Sequence, residues 1–283
     1  MKAAWLHKRF ESDFSSGGGA ELTIRNRIKA GEKRGHTIDK IPPDKIALLA
    51  TDYDLYILSD TKYSFPSEII RDRYPAVRIF HNYHFCRYST FLCQSFFSSS
   101  NLPLRQKLEL GMCLIKKQCF GFMENVKLFF FMSPLQKQVT ERFFGREFTN
   151  GVVVPSSIDT SLFYDKNERR SGACAVSTGR WNKGIENVKK WCKDNDEQLT
   201  LIRGVPYNKM NDVYNKHEYF VHLPNGIEPC GRTVFEAALA GCKVVVNNRV
   251  GAASFDWWGT DKIREHLEKA SDKFWKILED EFE

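Results

Sequence analysis

Two glutamates, Glu228 and Glu236, have seven residues between them in a segment that runs from a loop into a predicted helix. If the helix begins near Gly231, Glu236 lies more than one turn inside it and Glu228 stays in the preceding loop. The two carboxylates then flank a helix N-terminus, whose backbone N–H groups attract phosphate. Because carboxylates also accept hydrogen bonds from vicinal hydroxyls, this spacing favours a ligand that carries phosphates between two sugar rings.

A glycine-rich segment from Ser15 to Glu21 is the second candidate site. It follows a predicted strand and opens a predicted helix, and Gly18 and Gly19 would let a phosphate or a sugar approach the backbone closely. The segment lacks the third glycine of a nicotinamide fingerprint and the Gly-Lys-Ser/Thr of a P-loop. Taken alone, it is also compatible with a purely structural turn.

The cysteines and histidines do not form a recognisable metal site. None of the eight cysteines belongs to a CxxC pair or has the spacing of a zinc site. The group of His81, His84, Cys86 and Cys93 matches no common ligand pattern. We therefore predict no metal ion, and free thiols in the interior.

Length and hydropathy predict a protein of two domains without membrane-spanning segments. The chain has 283 residues, which is more than one hydrophobic core usually serves. No stretch approaches the roughly 18 apolar residues of a membrane-spanning helix. Lys2, His7, Lys8 and Arg9 leave no apolar core for a secretory signal near the N-terminus, so a cytoplasmic location is predicted.

Positive charge is concentrated in the first part of the chain. Residues 1–160 hold 23 Lys and Arg against 16 Asp and Glu, and they carry the whole formal charge of +7. Because the basic residues are dispersed and no nucleic-acid signature is present, an acidic acceptor or an anionic membrane surface is favoured over nucleic acid. The segment Leu102 to Met123 mixes basic and apolar residues, which suits either peripheral membrane contact or an ordinary core-facing helix.

Apolar runs alternate with helical patterns along the chain, which predicts an α/β fold with parallel sheets. The first half is expected to contain strands at Ala3 to Lys8, Leu55 to Leu58, Val77 to His81, Val126 to Phe131 and Gly151 to Val154, and helices at Ala20 to Gly35, Leu104 to Gln118 and Pro134 to Phe144. The pattern restarts after Asp159 with strands at Ala173 to Thr178, Leu199 to Arg203, Tyr219 to Leu223 and Lys243 to Asn247, and helices at Ile185 to Lys193, Tyr207 to Lys216, Gly231 to Ala240 and Asp261 to Glu281. The polar stretch Asp165 to Gly172 suits a linker, so we expect domains at residues 1–165 and 166–283. The last helix could pack back on the first domain.

These features together resemble the retaining, nucleotide-sugar-dependent glycosyltransferases of GT-B fold, in particular glycosyltransferase family 4 (glycosyl transferases group 1). The segment Glu228 to Gly241 matches their Glu-x7-Glu motif closely in residue type and position. Gly17 to Glu21 is similar to their N-terminal glycine loop, and Val154 to Phe163 to the crossing that leads into their donor domain. Thr178 to Gly184 is similar to the loop that supplies a basic pair to the diphosphate. The resemblance implies two Rossmann-like domains that face each other across a cleft.

The resemblance also implies roles for single residues. The first glutamate of the family motif contacts the donor sugar and the second the ribose, which implies these roles for Glu228 and Glu236. Arg180 and Lys183 would be the basic pair that offsets the charge on the leaving diphosphate, as a divalent cation does elsewhere. His81 matches a position near the donor sugar, although a lone histidine is often structural. Further donor contacts are expected from Gly18, Gly19, Gly231, Arg232 and Thr233.

The implied reaction is transfer of a sugar from a UDP- or GDP-linked donor, without a metal and with retention of the anomeric configuration. A glycan, a lipid-linked molecule or a protein would be a compatible acceptor. Two other functions stay open: a sugar-nucleotide-binding protein without turnover, and a GT-B epimerase that changes the sugar nucleotide without an acceptor. The sequence departs from the family pattern in the close spacing of Arg180 and Lys183, in Cys230 where an aromatic residue is usual, and in the shortness of both domains.

Overall fold

The protein forms two sheets in which every strand pairs in parallel with its neighbours. The computed structural model describes residues 1–10, 18–42, 45, 52–59, 75–83 and 126–282. Parallel neighbours require a crossover connection, usually a helix, and the alternation of apolar runs with helical patterns supplies it. The predicted α/β fold with parallel sheets is confirmed.

The first sheet has six strands in the order β2-β1-β3-β4-β5-β6. The strands are β1 (Lys2–Leu6), β2 (Thr37–Ile41), β3 (Leu55–Ser59), β4 (Ala76–Phe80), β5 (Leu128–Phe131) and β6 (Gly151–Val153). Strands β3, β4 and β5 are buried along their whole length, which explains why their sequences are mostly apolar apart from Ser59 and Arg78. Strand β2 is absent from the sequence prediction because it lies at the sheet edge, where polar residues such as Asp39 and Lys40 hide the pattern.

The second sheet has four strands in the order β10-β9-β7-β8. The strands are β7 (Ala173–Val176), β8 (Leu199–Ile202), β9 (Tyr219–His222) and β10 (Lys243–Val246). Among the described residues before the C-terminal segment, the α-helices are α1 (Gly19–Lys33), α2 (Pro134–Phe144), α3 (Ile185–Asp194), α4 (Met210–Asn215) and α5 (Arg232–Leu239). The helix expected at Tyr207 to Lys216 begins as a 3-10 turn, Tyr207–Lys209, before α4.

The C-terminal segment forms two helices, α6 (Ile263–Glu268) and α7 (Ala270–Phe282), where one helix from Asp261 to Glu281 was predicted. The prediction was wrong because the two parts pack on different partners. Arg264 of α6 donates hydrogen bonds to the carbonyl oxygens of Thr160 and Phe163. Helix α7 packs on α1 instead, so the chain changes direction between the two helices.

Helix α7 is fixed to α1 by apolar and polar contacts. Trp275 Nε1 donates to the carbonyl oxygen of Arg27 at 2.6 Å, and the Arg27 guanidinium lies 4.4 Å from the ring centre of Phe274. Glu279 accepts hydrogen bonds from Arg34 and pairs with His36 at 2.8 Å. Helix α7 therefore packs on α1, the helix that connects β1 and β2 of the first sheet.

Arg27 also holds the segment that crosses from the first sheet to the second. Its side chain is fully buried and donates to the carbonyl oxygens of Val154 and Pro155 at 3.4 and 3.2 Å. Because buried polar groups must be paired, these contacts fix the crossing to α1.

No helix in the described ranges is long and apolar enough to cross a membrane. The predictions for Leu104 to Gln118, for the possible membrane contact at Leu102 to Met123 and for Gly17 fall outside the described residues.

Candidate functional site

A cavity of about 560 Å³ lies where strands of both sheets end. Its wall from the first half includes the start of α1 and the residues that follow β4, and its wall from the second half includes the loop after β7 and the start of α5. Ligands of doubly wound sheets bind at the carboxyl ends of strands, so this location agrees with a binding site. Nine of the ten predicted site residues line the cavity: Gly18, Gly19, His81, Arg180, Lys183, Glu228, Gly231, Arg232 and Thr233.

A second cavity of about 320 Å³ adjoins the first and contains the tenth predicted residue, Glu236. The two cavities share part of their walls, including Gly19, Arg232 and Thr233. The residues that line only the second cavity include the apolar and aromatic side chains Leu22, Ile202, Val205, Tyr207 and Met210, together with Ser177, Arg203 and Gly204. A largely apolar lining that includes a carboxylate suits a ligand with both an apolar face and hydroxyl groups.

Glu228 is held by an ion pair in the wall of the larger cavity. The loop that carries it is fixed by the hydrogen bond from Glu228 N to Arg249 O at 2.8 Å and by that from Gly251 N to Glu228 O at 2.9 Å. Its carboxylate pairs with the ammonium of Lys183, and His222 Nε2 lies 3.8 Å from the same oxygen. Lys183 therefore contacts the first glutamate of the motif directly.

The charge state of Glu228 follows from these neighbours. Burial alone would raise the pKa of the Glu228 carboxyl, but the Lys183 ammonium and the ring of His222 outweigh burial and hold the pKa well below its usual range. A carboxylate with such a low pKa is a poor proton acceptor near neutral pH. Glu228 is therefore suited to orient a ligand rather than to take up its proton.

The N-terminus of α5 faces the cavities. Gly231, the residue before the helix, has a φ of 79°, in the left-handed region that glycine adopts without strain. Helix α5 then begins at Arg232, so the first N–H groups of the helix are unpaired within it and carry partial positive charge. Together with the exposed Arg180, this end of the helix offers positive charge to an anion in the cavity.

Arg232 connects α5 to the first half of the molecule. Its guanidinium donates to Ser157 O at 2.6 Å, to Thr23 Oγ1 at 3.0 Å and to Tyr207 Oη at 2.8 Å. The Arg232 side chain is only 8% exposed. The Arg232 side chain passes close to Gly19, where an added β-carbon would lie 3.1 Å from Arg232 Cδ.

Glu236 lies one turn further along α5 and is 2% exposed. Its Oε1 lies 3.3 Å from the guanidinium of Arg232. Burial raises the pKa of the Glu236 carboxyl, and Arg232 and Tyr207 reduce this increase without cancelling it. The carboxylate thus depends on Arg232 for its charge compensation.

Arg180 and Lys183, the predicted basic pair, have different surroundings. Arg180 is exposed, and within the described residues its guanidinium forms no hydrogen bond or ion pair. Lys183 is partly buried and pairs with Glu228. Arg180 is therefore the more accessible cation for an incoming anion.

Two histidines face the cavity from opposite sheets. His81 follows β4 and His222 ends β9, and their side chains are 8% and 7% exposed. His81 was predicted as a site residue and His222 was not, although both stand at the carboxyl end of a strand. That shared position was a signal that could have found His222.

The loop after β5 is hydrogen-bonded to the loop that carries Glu228. Ser133 Oγ donates to the carbonyl oxygen of Pro229, and Leu135 N donates to Ser254 Oγ at 3.0 Å. Gln136 supports this loop by donating from Nε2 to Phe80 O at 2.9 Å. These contacts join the loop after β5, in the first half of the chain, to the segments around Pro229 and Ser254 in the second half.

In the described ranges, no group of three or more His, Cys, Asp or Glu side chains is placed to hold a metal ion. Residues 84, 86 and 93, which the sequence analysis considered with His81, fall outside those ranges.

Several solved structures have the same arrangement of sheets. A sucrose-phosphate synthase from Thermosynechococcus elongatus matches with a TM-score of 0.62 at 14% identity, over 99% of this chain and 90% of that chain. HepE from Anabaena, solved with UDP and glucose, matches with a TM-score of 0.54 at 15% identity, over 99% of this chain and 91% of that chain. An E. coli trehalose-6-phosphate structure with bound UDP-2-fluoro glucose matches with a TM-score of 0.55 at 10% identity, over 95% and 91%.

The chain has the GT-B fold. The predicted pair of Rossmann-like units that face each other across a cleft is thereby confirmed. No protein-family model matches the chain, and no curated protein matches its sequence. At these identities the similarity to solved structures establishes the GT-B fold alone.

Proposed function

We propose that this chain is a retaining glycosyltransferase, similar to glycosyltransferase family 4, that transfers a sugar from a nucleoside-diphosphate sugar to an acceptor hydroxyl. The observation that carries the proposal is the convergence of nine predicted site residues on one cavity between two parallel sheets. Residues 1–165 would form the acceptor-side domain and residues 166–283 the donor-side domain. The contacts of α7 with α1 support a final helix that returns to the first domain.

The shapes and charges of the two cavities suggest how the donor is oriented. We assign the nucleoside to the smaller, more apolar cavity, where Glu236 would accept hydrogen bonds from the ribose and Tyr207 would contact the nucleoside. The diphosphate would lie across the N-terminus of α5 near Arg180. The donor sugar then lies in the larger cavity beside Glu228.

Positive protein groups would compensate the leaving diphosphate without a metal. As the glycosidic bond breaks, negative charge grows on the phosphate oxygen that leaves. Arg180, the α5 N-terminus and the ammonium of Lys183 provide positive charge on that side of the cavity. We therefore expect the activity to continue in the presence of a chelator.

The charge state of Glu228 supports retention of configuration. Inversion requires a base that takes the acceptor proton on the face opposite to the leaving group, and Glu228 is ion-paired and weakly basic. On the face that the diphosphate leaves, the acceptor oxygen can attack the anomeric carbon and pass its proton to a phosphate oxygen. The new carbon–oxygen bond then has the same configuration as the one that broke.

A donor screen is the first test of the proposal. The similar structures named above contain UDP, glucose or UDP-2-fluoro glucose, which makes UDP and its sugars the first ligands to try, followed by GDP and its sugars. A ligand at 100 times its dissociation constant adds about 2.7 kcal/mol to the stability of the protein that binds it. We expect a clear thermal shift with at least one nucleoside diphosphate and its sugar.

Product analysis then separates the proposed transferase from its alternatives. Proton NMR of the product should show the anomeric configuration of the donor, and EDTA should leave the rate unchanged. Binding without transfer or hydrolysis would indicate a binding protein, and a changed sugar nucleotide without acceptor would indicate an epimerase. A flat thermal-shift screen with every nucleotide would contradict the whole proposal.

A further inference from the structure

The buried side chain of His222 borders the larger cavity beside the Lys183–Glu228 ion pair. It ends β9, is 7% exposed, and lines the cavity together with both members of the pair. Its Nε2 forms no hydrogen bond within the described part of the chain. A polar atom in the protein interior normally has a partner, so an unpartnered Nε2 in the wall of a ligand cavity points to a function.

The unpartnered atom lies close to Glu228. Nε2 is 3.8 Å from Glu228 Oε2, the same oxygen that pairs with the Lys183 ammonium. This distance is about 1 Å longer than a hydrogen bond, so a small rotation of either side chain would close it. One carboxylate oxygen therefore has two nitrogen groups within reach, and only the ammonium is bonded to it.

The imidazole ring of His222 is supported by Phe220, which lies two residues earlier on the same face of β9. The two ring centres are 6.5 Å apart, and the ring planes differ by 22°. Phe220 is fully buried in the core. The ring of His222 therefore has packed support within its own strand.

The turn that carries Lys183 is fixed to the residues after β9. Asn225 N donates to Asn182 O at 3.0 Å. Gly184 allows the close approach, because its φ is 69° and a β-carbon there would overlap Leu223 O. The backbone thus fixes where the ammonium and the imidazole stand relative to each other.

A bound donor would place a second anion beside Lys183. In the proposed function the ammonium helps to compensate the leaving diphosphate, yet in the structure it compensates Glu228. A diphosphate carries more negative charge than a carboxylate and attracts the ammonium more strongly. As Lys183 turns towards the diphosphate, Glu228 loses part of its compensation while its side chain is only 15% exposed.

We propose that His222 is a positioning residue of the proposed transferase and donates a hydrogen bond to Glu228 Oε2 when Lys183 turns to the donor diphosphate. This inference rests on the proposed function. Both the imidazolium and the neutral tautomer that is protonated at Nε2 can make this bond. The N–H group then takes the place of the ammonium on the same oxygen, and Glu228 stays ionised.

An ionised Glu228 serves the reaction in two ways. It accepts hydrogen bonds from hydroxyl groups of the donor sugar, and it stabilises the positive charge that develops on the sugar ring as the glycosidic bond breaks. The acceptor proton goes to a phosphate oxygen, as in the proposed reaction. His222 therefore acts through Glu228 and does not contact the reacting atoms.

The test measures donor turnover in His222→Phe, which removes Nε2 and keeps a ring that can pack on Phe220. UDP-glucose, or the donor found in the screen, is the probe, and release of the nucleoside diphosphate is followed with water or an acceptor. Loss of a hydrogen bond to a charged group should lower kcat roughly tenfold to a hundredfold. The affinity for the bare nucleoside diphosphate should change less than about threefold, because Arg180 and the N-terminus of α5 are unchanged.

A conservative variant and a double variant distinguish positioning from a structural role. His222→Gln keeps an N–H donor close to the position of Nε2 and should recover at least about a third of the wild-type kcat. In Glu228→Gln, His222→Phe should have no further effect, because the carboxylate that His222 positions is already absent. A structural histidine would instead give the same loss in both backgrounds.

His266→Phe is the matched control. It makes the same substitution at an exposed histidine of α6, and the new ring can keep the stacking on Trp257, whose ring centre lies 4.8 Å away. Donor turnover should stay unchanged. Should His222→Phe fail to fold, His222→Met takes its place with the same expected results, because the flexible methionine side chain fills the space without an N–H group.

Each outcome decides a separate point. If His222→Phe turns over the donor like wild type, or loses the same factor in Glu228→Gln as in the wild-type background, the positioning role is wrong and the proposed function remains. Failure of His222→Gln to recover activity also contradicts the positioning role. Absence of donor turnover in the wild-type chain contradicts the proposed function itself, and the role of His222 with it.

Discussion

The two glutamates of the motif differ in burial and in partners, and these differences predict different roles. Glu228 borders the larger cavity and pairs with Lys183, whereas Glu236 is buried in the smaller cavity beside Arg232. Replacing a carboxylate that binds the ribose should weaken the binding of every ligand that contains the nucleoside. Replacing a carboxylate that binds the donor sugar should change the binding or reaction only of ligands that contain that sugar.

Glu236→Gln should weaken binding of the bare nucleoside diphosphate about tenfold, because a hydrogen bond to a charged acceptor is lost. Glu228→Gln should leave that affinity within about twofold and lower kcat for transfer at least about a hundredfold. Calorimetric titration and initial rates measure the two effects. Glu186→Gln, an exposed carboxylate on α3, is the control. If both motif variants bind the nucleotide like wild type, the ribose assignment of Glu236 is wrong.

The Lys183–Glu228 pair predicts a pH-dependent difference in stability. In the wild-type chain the pKa of Glu228 is depressed, so its stabilising contribution is present above the ordinary value of 4.5 and is lost as the pH falls further. In Lys183→Gln, burial is no longer opposed by the ammonium and raises this pKa. The variant should be less stable at pH 7 by roughly 1–3 kcal/mol, between the values for exposed and buried pairs.

The stability difference should narrow as the pH falls from 7 to 5, because the unpaired carboxyl then takes up a proton only in the variant. His222, the other titratable group that faces Glu228, is present in both chains. Urea unfolding at pH 5, 6 and 7 measures the difference. Lys189→Gln removes an exposed partner of Glu186 and should show no such trend. A difference that stays constant with pH would contradict the assigned ion pair.

At the scale of elements, Arg232 connects α5 to α1 and to the crossing segment. Arg232→Met removes the donors to Thr23, Ser157 and Tyr207 and leaves Glu236 buried without its cation. We expect a loss of about 3–5 kcal/mol in the free energy of unfolding, as for one partner removed from a buried pair. Urea unfolding measures this loss.

The double variant Arg232→Met/Glu236→Leu distinguishes the stability lost by leaving a buried charge unpaired from the stability lost by changed packing. It removes the uncompensated charge and should recover part of the lost stability, giving a clear coupling between the two positions. Purely additive effects of Arg232→Met and Glu236→Leu would show that the buried charge is not what destabilises the single variant.

The sequence predicted nearly every element of the sheets and could not predict several contacts of the site. Buried strands and amphipathic helices repeat on a local period, which a sequence shows directly. Strand β2 lies at an edge where that period is weak, and the break between α6 and α7 depends on two separate packing partners. The pairing of Lys183 with Glu228 and the contact of Arg232 with Thr23 join residues far apart in the chain, so no local pattern encodes them.

At the scale of the whole molecule, α7 packs the C-terminal part of the chain against the first sheet. Phe274 packs on Trp5 and Phe130, with ring centres 5.7 and 4.7 Å apart, and both partners belong to strands of that sheet. Phe235 packs on Phe255 and Trp257 beside the second sheet. The two phenylalanines are both fully buried and belong to one core cluster, but the ring partners of Phe274 are in strands of the first sheet, whereas Phe235 is on α5, which packs on β9 and β10.

Phe274→Ala should therefore destabilise the first sheet although the substituted residue lies near the C-terminus. Removal of a buried phenylalanine side chain costs about 3–5 kcal/mol where the cavity does not collapse. Native-state hydrogen exchange should show faster exchange in β1 and β5 than in β7 and β9, because parts of a protein that open separately lose protection separately. Phe235→Ala is the matched control with the same change in side-chain volume, and it should reverse the order. Equal acceleration in both sheets for both variants would show that the two halves open as one cooperative unit, and α7 would then be a contact within that unit rather than the element that specifically supports the first sheet.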